Sequence, residues 1–170
     1  PTLFRSQAKA FLAERGVRPS GSCVVPTVVG SRPVLVEIQA LVGETAYGTP
    51  RRLATNVDAA RLTTIVAILE RRAGMSLGSH DIYCSFAGGL RVVEPAADLG
   101  IALAIASAFR DIPVVANRVA FGELGLSCEV RPVSHAIRRA TEATKLGFTG
   151  IIAPENAKTI DAALQLALVR

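Results

Sequence analysis

The chain has 170 residues, 50% hydrophobic, 19% charged and 5% aromatic, with no Trp. That length and apolar content suit one compact domain with a sizeable core and exclude a disordered tail. Its net charge of +5 comes from 19 basic and 14 acidic residues. All but three of the basic residues are Arg, which permits a phosphate-rich partner without establishing one. The most apolar stretch, residues 99–109, is far shorter than the ~20 residues of a membrane-spanning helix, so no membrane partner is expected. The first residues, PTLFRSQAKAFLAERG, carry charges at Arg5, Lys9, Glu14 and Arg15, and no secretory signal is expected.

Residues 3–15 have the spacing of a short amphipathic helix, with Leu3, Phe4, Ala8, Phe11 and Leu12 on one side. GVRPSGS is a loop by composition. CVVPTVV, then GSRP, then VLVEIQALVG predict two strands joined by a tight turn. ETAYGTPRRLATNV is polar, punctuated by Gly and Pro, and reads as irregular. Residues 58–72 predict a helix capped by Asp58, with Ala59, Leu62, Val66 and Leu69 on one face and Gly74 at its end. DIYCSFAGG is a strand entering a glycine turn. Residues 96–109 are apolar nearly all round and predict a buried helix. VANRVAFGELGL and EVRPV predict two short strands. Residues 134–145 predict a helix with Ser134 as N-cap, then GIIAP a strand, then 159–169 a terminal helix. Early strands followed by alternating helices give an α+β domain with a mixed sheet.

Few catalytic patterns are present. The sequence holds no GxxxxGK[ST], GxGxxG or GxSxG run. His80 and His135 sit in unrelated contexts and read as surface or loop residues. Cys23, Cys84 and Cys128 are odd in number and far apart, without CxxC spacing, which excludes a zinc site and suits a reducing, cytoplasmic compartment. Glu94 and Asp98 form the one close acidic pair in an apolar region, where they favour a helix dipole.

Residues 21–74 and 87–109, continued by FGELGLSCEVRPV at 121–133 and KLGF at 145–148, carry a specific resemblance. Colinearly over roughly residues 12–170 the chain resembles the C-terminal domain of the RadA (Sms) family of bacterial DNA repair proteins. That resemblance implies the ribosomal protein S5 domain 2-like fold of the Lon proteolytic domain. It also implies an N-terminal segment or linker at 1–20 and a degenerate Lon-like domain at 21–170. Lon-type peptidases pair a Ser nucleophile with a Lys that takes its proton. The Ser run corresponds here to Glu94-Pro95-Ala96-Ala97-Asp98, which puts Ala96 at the nucleophile position. Aligning on Pro132 puts Ile137 at the Lys position. Both are expected in the core, and the fragment is expected not to be an enzyme.

The same resemblance implies a non-catalytic DNA-binding and ring-forming domain of an ATP-dependent branch-migration motor. It would be a homohexamer on single- or double-stranded DNA, meeting a recombinase filament through the parent protein, in the bacterial cytoplasm near the nucleoid. No cofactor is expected in the fragment; ATP, Mg and Zn are expected only in N-terminal parts of the parent. The alternatives are a pure oligomerisation scaffold, or a Lon-like serine peptidase with displaced residues. Candidates for sequence-independent DNA contact are Arg51 and Arg52 in a polar loop, Arg61 opposite the core stripe of its helix, Arg32 at the hairpin tip, Arg91 after a glycine turn, and Arg118 and Arg131 beside short strands. Tyr47 is the candidate stacking aromatic. Arg138 and Arg139 read as helix surface, with Arg138 and Glu142 spaced for a local ion pair.

Overall fold

The computed structural model describes residues 19–169, so the amphipathic stretch expected at 3–15 lies outside the described residues. β1 (Ser22–Val29) and β2 (Arg32–Glu44) form the expected hairpin, with Gly30 at φ +62° in its turn. β3 (Arg52–Thr55), α1 (Ala59–Arg72) and β4 (His80–Phe86) follow. Two 3-10 turns, Ala87–Gly89 and Pro95–Ala97, lead into α2 (Asp98–Arg110). Then come β5 (Arg118–Ala120), β6 (Glu123–Leu124), β7 (Val130–Arg131), α3 (Ala136–Lys145), β8 (Gly150–Ile152) and α4 (Ile160–Ala167).

The main sheet has the order β3-β4-β2-β1-β5-β8. Its central pairs β1–β2 and β2–β4 are antiparallel, while β3–β4, β1–β5 and β5–β8 are parallel. The sheet is mixed, as the order of elements predicts. β6 and β7 make a separate two-stranded ladder.

Strand alternation assigns the two faces. Cys23, Val25, Val36, Ile38, Ile82, Cys84 and Phe86 point into one large core shared with α1 and α2. α2 is buried along ten consecutive residues, Asp98 to Ser107, as its all-round apolar sequence requires. It crosses β1 at Gly100, where a Cβ would lie 2.1 Å from a Val25 methyl. On the other face Val24, Leu35 and Val119 pack with Ala143 of α3 and Phe148. Cys84 is buried, and burial pushes its thiol up to about 12, out of reach of ordinary thiolate chemistry.

Asp58 caps α1 by accepting from the Arg61 amide at 2.9 Å, and Thr159 caps α4 through the Ala162 amide at 3.2 Å. Two local expectations are corrected. The stretch read as irregular contains β3, which pairs only with the distant β4. Ser134 is not the cap of α3: the helix starts after His135, held at φ 59°, and the Ser134 carbonyl accepts from Arg139 Nε at 2.9 Å. Among the described residues no helix is long and apolar enough to cross a membrane.

Candidate functional site

The turn at residues 94–98 is where the sequence resemblance centres its chemistry. Pro95 starts a 3-10 turn that passes directly into α2, so Glu94 and Asp98 leave it toward two different neighbours. The backbone of the turn is stitched to the strand region behind it. Ala96 O accepts from Gly122 N at 2.9 Å, and Leu99 N donates to Gly122 O at 3.1 Å. Gly122 is required there, because a Cβ would lie 2.6 Å from Val130 Cγ1.

Glu94 receives four hydrogen bonds. Arg139 Nη1 donates to Oε1 at 2.6 Å and Nη2 to Oε2 at 2.7 Å, a bidentate grip. The Thr27 hydroxyl (2.5 Å) and the Val28 amide (3.1 Å) also donate to Oε1. Arg139 is only 1% exposed and gives two further donors to the carbonyls of Pro26 and Ser134, each at 2.9 Å. Burial pushes the Glu94 carboxyl up, but Arg139, Thr27 and the Val28 amide outweigh it and hold it below the usual carboxylate range. Asp98 is 1% exposed and pairs with Arg61, whose Nε donates at 3.1 Å and whose Nη2 makes a shorter contact; the Leu124 amide adds a third donor at 3.1 Å. Among the described residues no buried side-chain N or O lacks a partner.

This arrangement corrects several expectations. Glu94 and Asp98 answer arginines rather than only a helix dipole. Arg139, expected on the helix surface, is among the largest fully buried side chains, because α3 lies over β1 and β2 and turns it toward Glu94. Arg61 is engaged by Asp98 and is not an open cation. The expected Arg138–Glu142 pair is not among the ion pairs of the described residues; Arg138 reaches the Ser31 carbonyl at 3.4 Å instead. Ala96 is buried as expected, but Ile137 is 83% exposed. Ile137 stands on the rim of an apolar groove of about 380 Å³ with Phe121, Ala140, Ile151 and Ala153.

The other candidate arginines do not converge. Arg52 gives its guanidinium to the carbonyls of His80 and Leu77, Arg118 to that of Leu166, and Arg131 to the Glu129 carboxylate. Arg51 is exposed, with its amide on Asp81 Oδ1 at 2.7 Å; that amide and then the Thr45 hydroxyl hold Asp81 below the usual carboxylate range. Arg91 is exposed, as is Tyr47. Arg32 is exposed at the β1–β2 turn, beside the Ser31 carbonyl that Arg138 reaches. Arg32 and Arg51 lie at opposite ends of β2: Glu44, its last residue, pairs with His80 next to Asp81. At roughly 3.3 Å per residue the two ends are about 40 Å apart. The structure therefore offers two separate basic places, and Arg138 is one that sequence reasoning left out.

Comparison with known proteins adds a family and relatives. Residues 52–157 match the model of the family described as subunit ChlI of Mg-chelatase. The chain is 49% identical over 148 residues to the DNA repair protein RadA of Halalkalibacterium halodurans, covering 87% of this chain and 32% of the relative. It is 46% identical over 153 residues to that of Bacillus subtilis, covering 90% and 33%, and 46% identical over 149 residues to that of Listeria monocytogenes, covering 88% and 33%. The chain thus spans about a third of the length of the curated relatives it matches.

Two expectations are overturned by these matches. The fragment was expected not to be an enzyme and to have no place for ATP or Mg. A match to a subunit of Mg-chelatase, over most of the chain, points instead to an ATPase-like region in this stretch. The 94–98 turn does not fit a phosphate, however: the Ala97 and Leu99 amides are taken by Glu94 O and Gly122 O, and the Asp98 carboxylate occupies the first turn of α2. Among the described residues no three His, Cys, Asp or Glu side chains gather to hold a metal.

Proposed function

Since the chain belongs to the family described as subunit ChlI of Mg-chelatase, we propose that it is a DNA-contacting, ring-forming domain of a bacterial DNA repair protein. The observation that carries this reading is the similarity to proteins named DNA repair protein RadA over nearly nine-tenths of the chain. The mixed sheet with helices on both faces suits the S5-like, Lon-like fold that the sequence resembles. In that fold Ala96 and Ile137 occupy the places of the Lon serine and lysine, and neither side chain can serve as nucleophile or base. Residues 21–170 are the domain, and 1–20 join it to an ATPase core in a cytoplasmic parent protein. DNA contact is to phosphate, through Arg32 and Arg138 at the β1–β2 turn and through Arg51 at the far end of β2. Contacts this few per subunit are weak, and several copies in a ring raise the avidity. A recombinase filament is a further partner of the parent protein.

The test is anisotropy of labelled single- and double-stranded oligonucleotides against salt, in parallel with the assembly state by sedimentation. On duplex DNA, each arginine withdrawn from a phosphate lowers the log–log salt slope by about 0.9. Arg32→Ala with Arg138→Ala is expected to flatten the slope by up to about two units, and Arg51→Ala by about one. Absence of binding at low salt by the assembled protein removes DNA contact and favours the scaffold reading of the ring. The family match favours a second reading, an ATP- and Mg-dependent activity within this stretch, with phosphates held by groups other than a GxxxxGK[ST] loop. Release of inorganic phosphate from ATP and Mg in the same samples tests it.

A further inference from the structure

Among the large apolar side chains of the described residues, Tyr47 is the most exposed, at 92%, so both faces of its ring are open to solvent. A singly exposed apolar side chain is ordinary. What separates Tyr47 from the others is the loop that carries it. That loop, residues 45–51 between β2 and β3, closes at both ends on one carboxylate oxygen. Thr45 Oγ1 donates to Asp81 Oδ1 at 2.9 Å, and the Arg51 amide donates to the same atom at 2.7 Å. The Thr45 amide donates to Ser79 O at 2.9 Å and the Ile82 amide to Arg51 O at 2.8 Å. Gly48, at φ +64°, turns the chain beside the ring, and Pro50 fixes a backbone angle next to Arg51. A ring presented from a loop closed in this way loses less freedom on stacking than one on an open loop.

The two arginines at the end of the loop have different employment. Arg52 turns its guanidinium to the His80 and Leu77 carbonyls and so braces the loop. Arg51 is exposed, and its guanidinium makes no hydrogen bond or ion pair among the described residues. Four residues separate it from Tyr47, so the two backbone positions lie within ~14 Å of each other. Of the acids at this end, Asp81 is taken up by the loop and Glu44 closes β2. The sequence neighbours of the ring, Ala46, Gly48 and Thr49, are small, unlike the packed rim that surrounds an aromatic anchor between proteins. An open ring beside an open cation is the pairing that single-strand binders use, the ring for a base and the cation for the backbone.

We propose that Tyr47 stacks against an unpaired base of the DNA strand whose phosphate Arg51 holds, so that this loop distinguishes single strands from duplex. The inference rests on the reading of the chain as a DNA-contacting domain. In a duplex the faces of each base are covered by its neighbours, and the ring has nothing to stack on.

The experiment uses the complete chain carrying Tyr83→Phe, which leaves Tyr47 as the sole tyrosine in a protein without Trp. Tyrosine emission is followed at low salt with a thymidine oligonucleotide, with a strand of equal length lacking bases, and with a duplex. The thymidine strand quenches the emission; the base-free strand and the duplex leave it unchanged. By anisotropy, Tyr47→Ala weakens binding of the thymidine strand at least about fivefold, and Tyr47→Phe binds it as the native chain does. The affinities of Tyr47→Ala for the base-free strand and the duplex, and its salt slope, stay as in the native chain. Native affinity of Tyr47→Ala for the thymidine strand overturns the proposal and leaves the phosphate contacts standing. Failure of every strand to bind the native chain overturns both readings. A smaller assembled mass for Tyr47→Ala in sedimentation also overturns the proposal, since the ring then packs between copies of the chain.

Discussion

The two arginine–carboxylate clasps beside the 94–98 turn are built in opposite senses. In one the arginine is the hidden member: Arg139 is 1% exposed and Glu94 24%. In the other the carboxylate is hidden: Asp98 is 1% exposed and Arg61 33%. A pair of charges taken from water is held by geometry, and breaking it is costly chiefly for the member left behind without a counter-charge. The contrast teaches that the more accessible partner of each clasp is the one whose loss matters more.

The largest effects therefore come from stranding the hidden charge. Glu94→Ala leaves Arg139 enclosed with only the Pro26 and Ser134 carbonyls, and Arg61→Ala leaves Asp98 with only the Leu124 amide. Each is expected to lower stability by about 3–5 kcal/mol. Asp98→Ala removes the hidden member of its clasp and frees Arg61 toward solvent; its expected cost is about 1–3 kcal/mol, mainly the orphaned Leu124 amide. Urea unfolding of the four-member set, with Arg139→Ala, checks the ranking. Equal losses for the two members of a clasp would break the comparison.

Gly100→Ala probes the packing beside the clasps instead of their charge. The added methyl meets Val25, and the expected loss is about 1–3 kcal/mol. Val25→Ala in the same chain is expected to recover part of it, because the clash is with that one side chain.

Acid sharpens the comparison by a different route. The Glu94 carboxyl titrates lower in the folded chain than in the unfolded one, so its contribution is complete above the ordinary carboxylate range. It is lost as pH falls through the lowered folded value. The denaturation midpoint is expected to fall over that window, and Glu94→Gln to show a shallower fall from a lower starting point. An identical pH profile in the variant would remove Glu94 from the account. Ile137→Ser marks the small end of the scale: with Ile137 83% exposed, the expected change is within about 0.5 kcal/mol. A larger loss would restore Ile137 to the core.

Much of the frame was legible in the sequence because local patterns decide it. The β1–β2 hairpin, the Asp58 cap and the enclosed α2 all follow from period, capping chemistry and composition within one element. β3 was illegible because its four residues become a strand only through pairing with β4, on the other side of α1. The sequence marks the 94–98 turn and its acidic pair, but nothing local to them marks their partners. Arg139 lies in a polar helix whose own period says surface; its burial depends on Glu94, 45 residues away in sequence. Ile137 misled in the reverse direction, since an aliphatic side chain near a helix start says core until the rim of the groove is seen. Resemblance supplied candidate positions, and no local signal said which arginines were already engaged.

The position of β1 has a consequence for how the chain is born. One side of β1 is matched almost at once by β2, but its other neighbour, β5, begins about 90 residues later. At about 5–20 residues per second of ribosomal synthesis, that edge waits on the order of 5–20 s for its parallel mate. During that interval the nascent hairpin presents an unmatched strand edge to the crowded cell, so this is the stage at which a chaperone would have the most to shield.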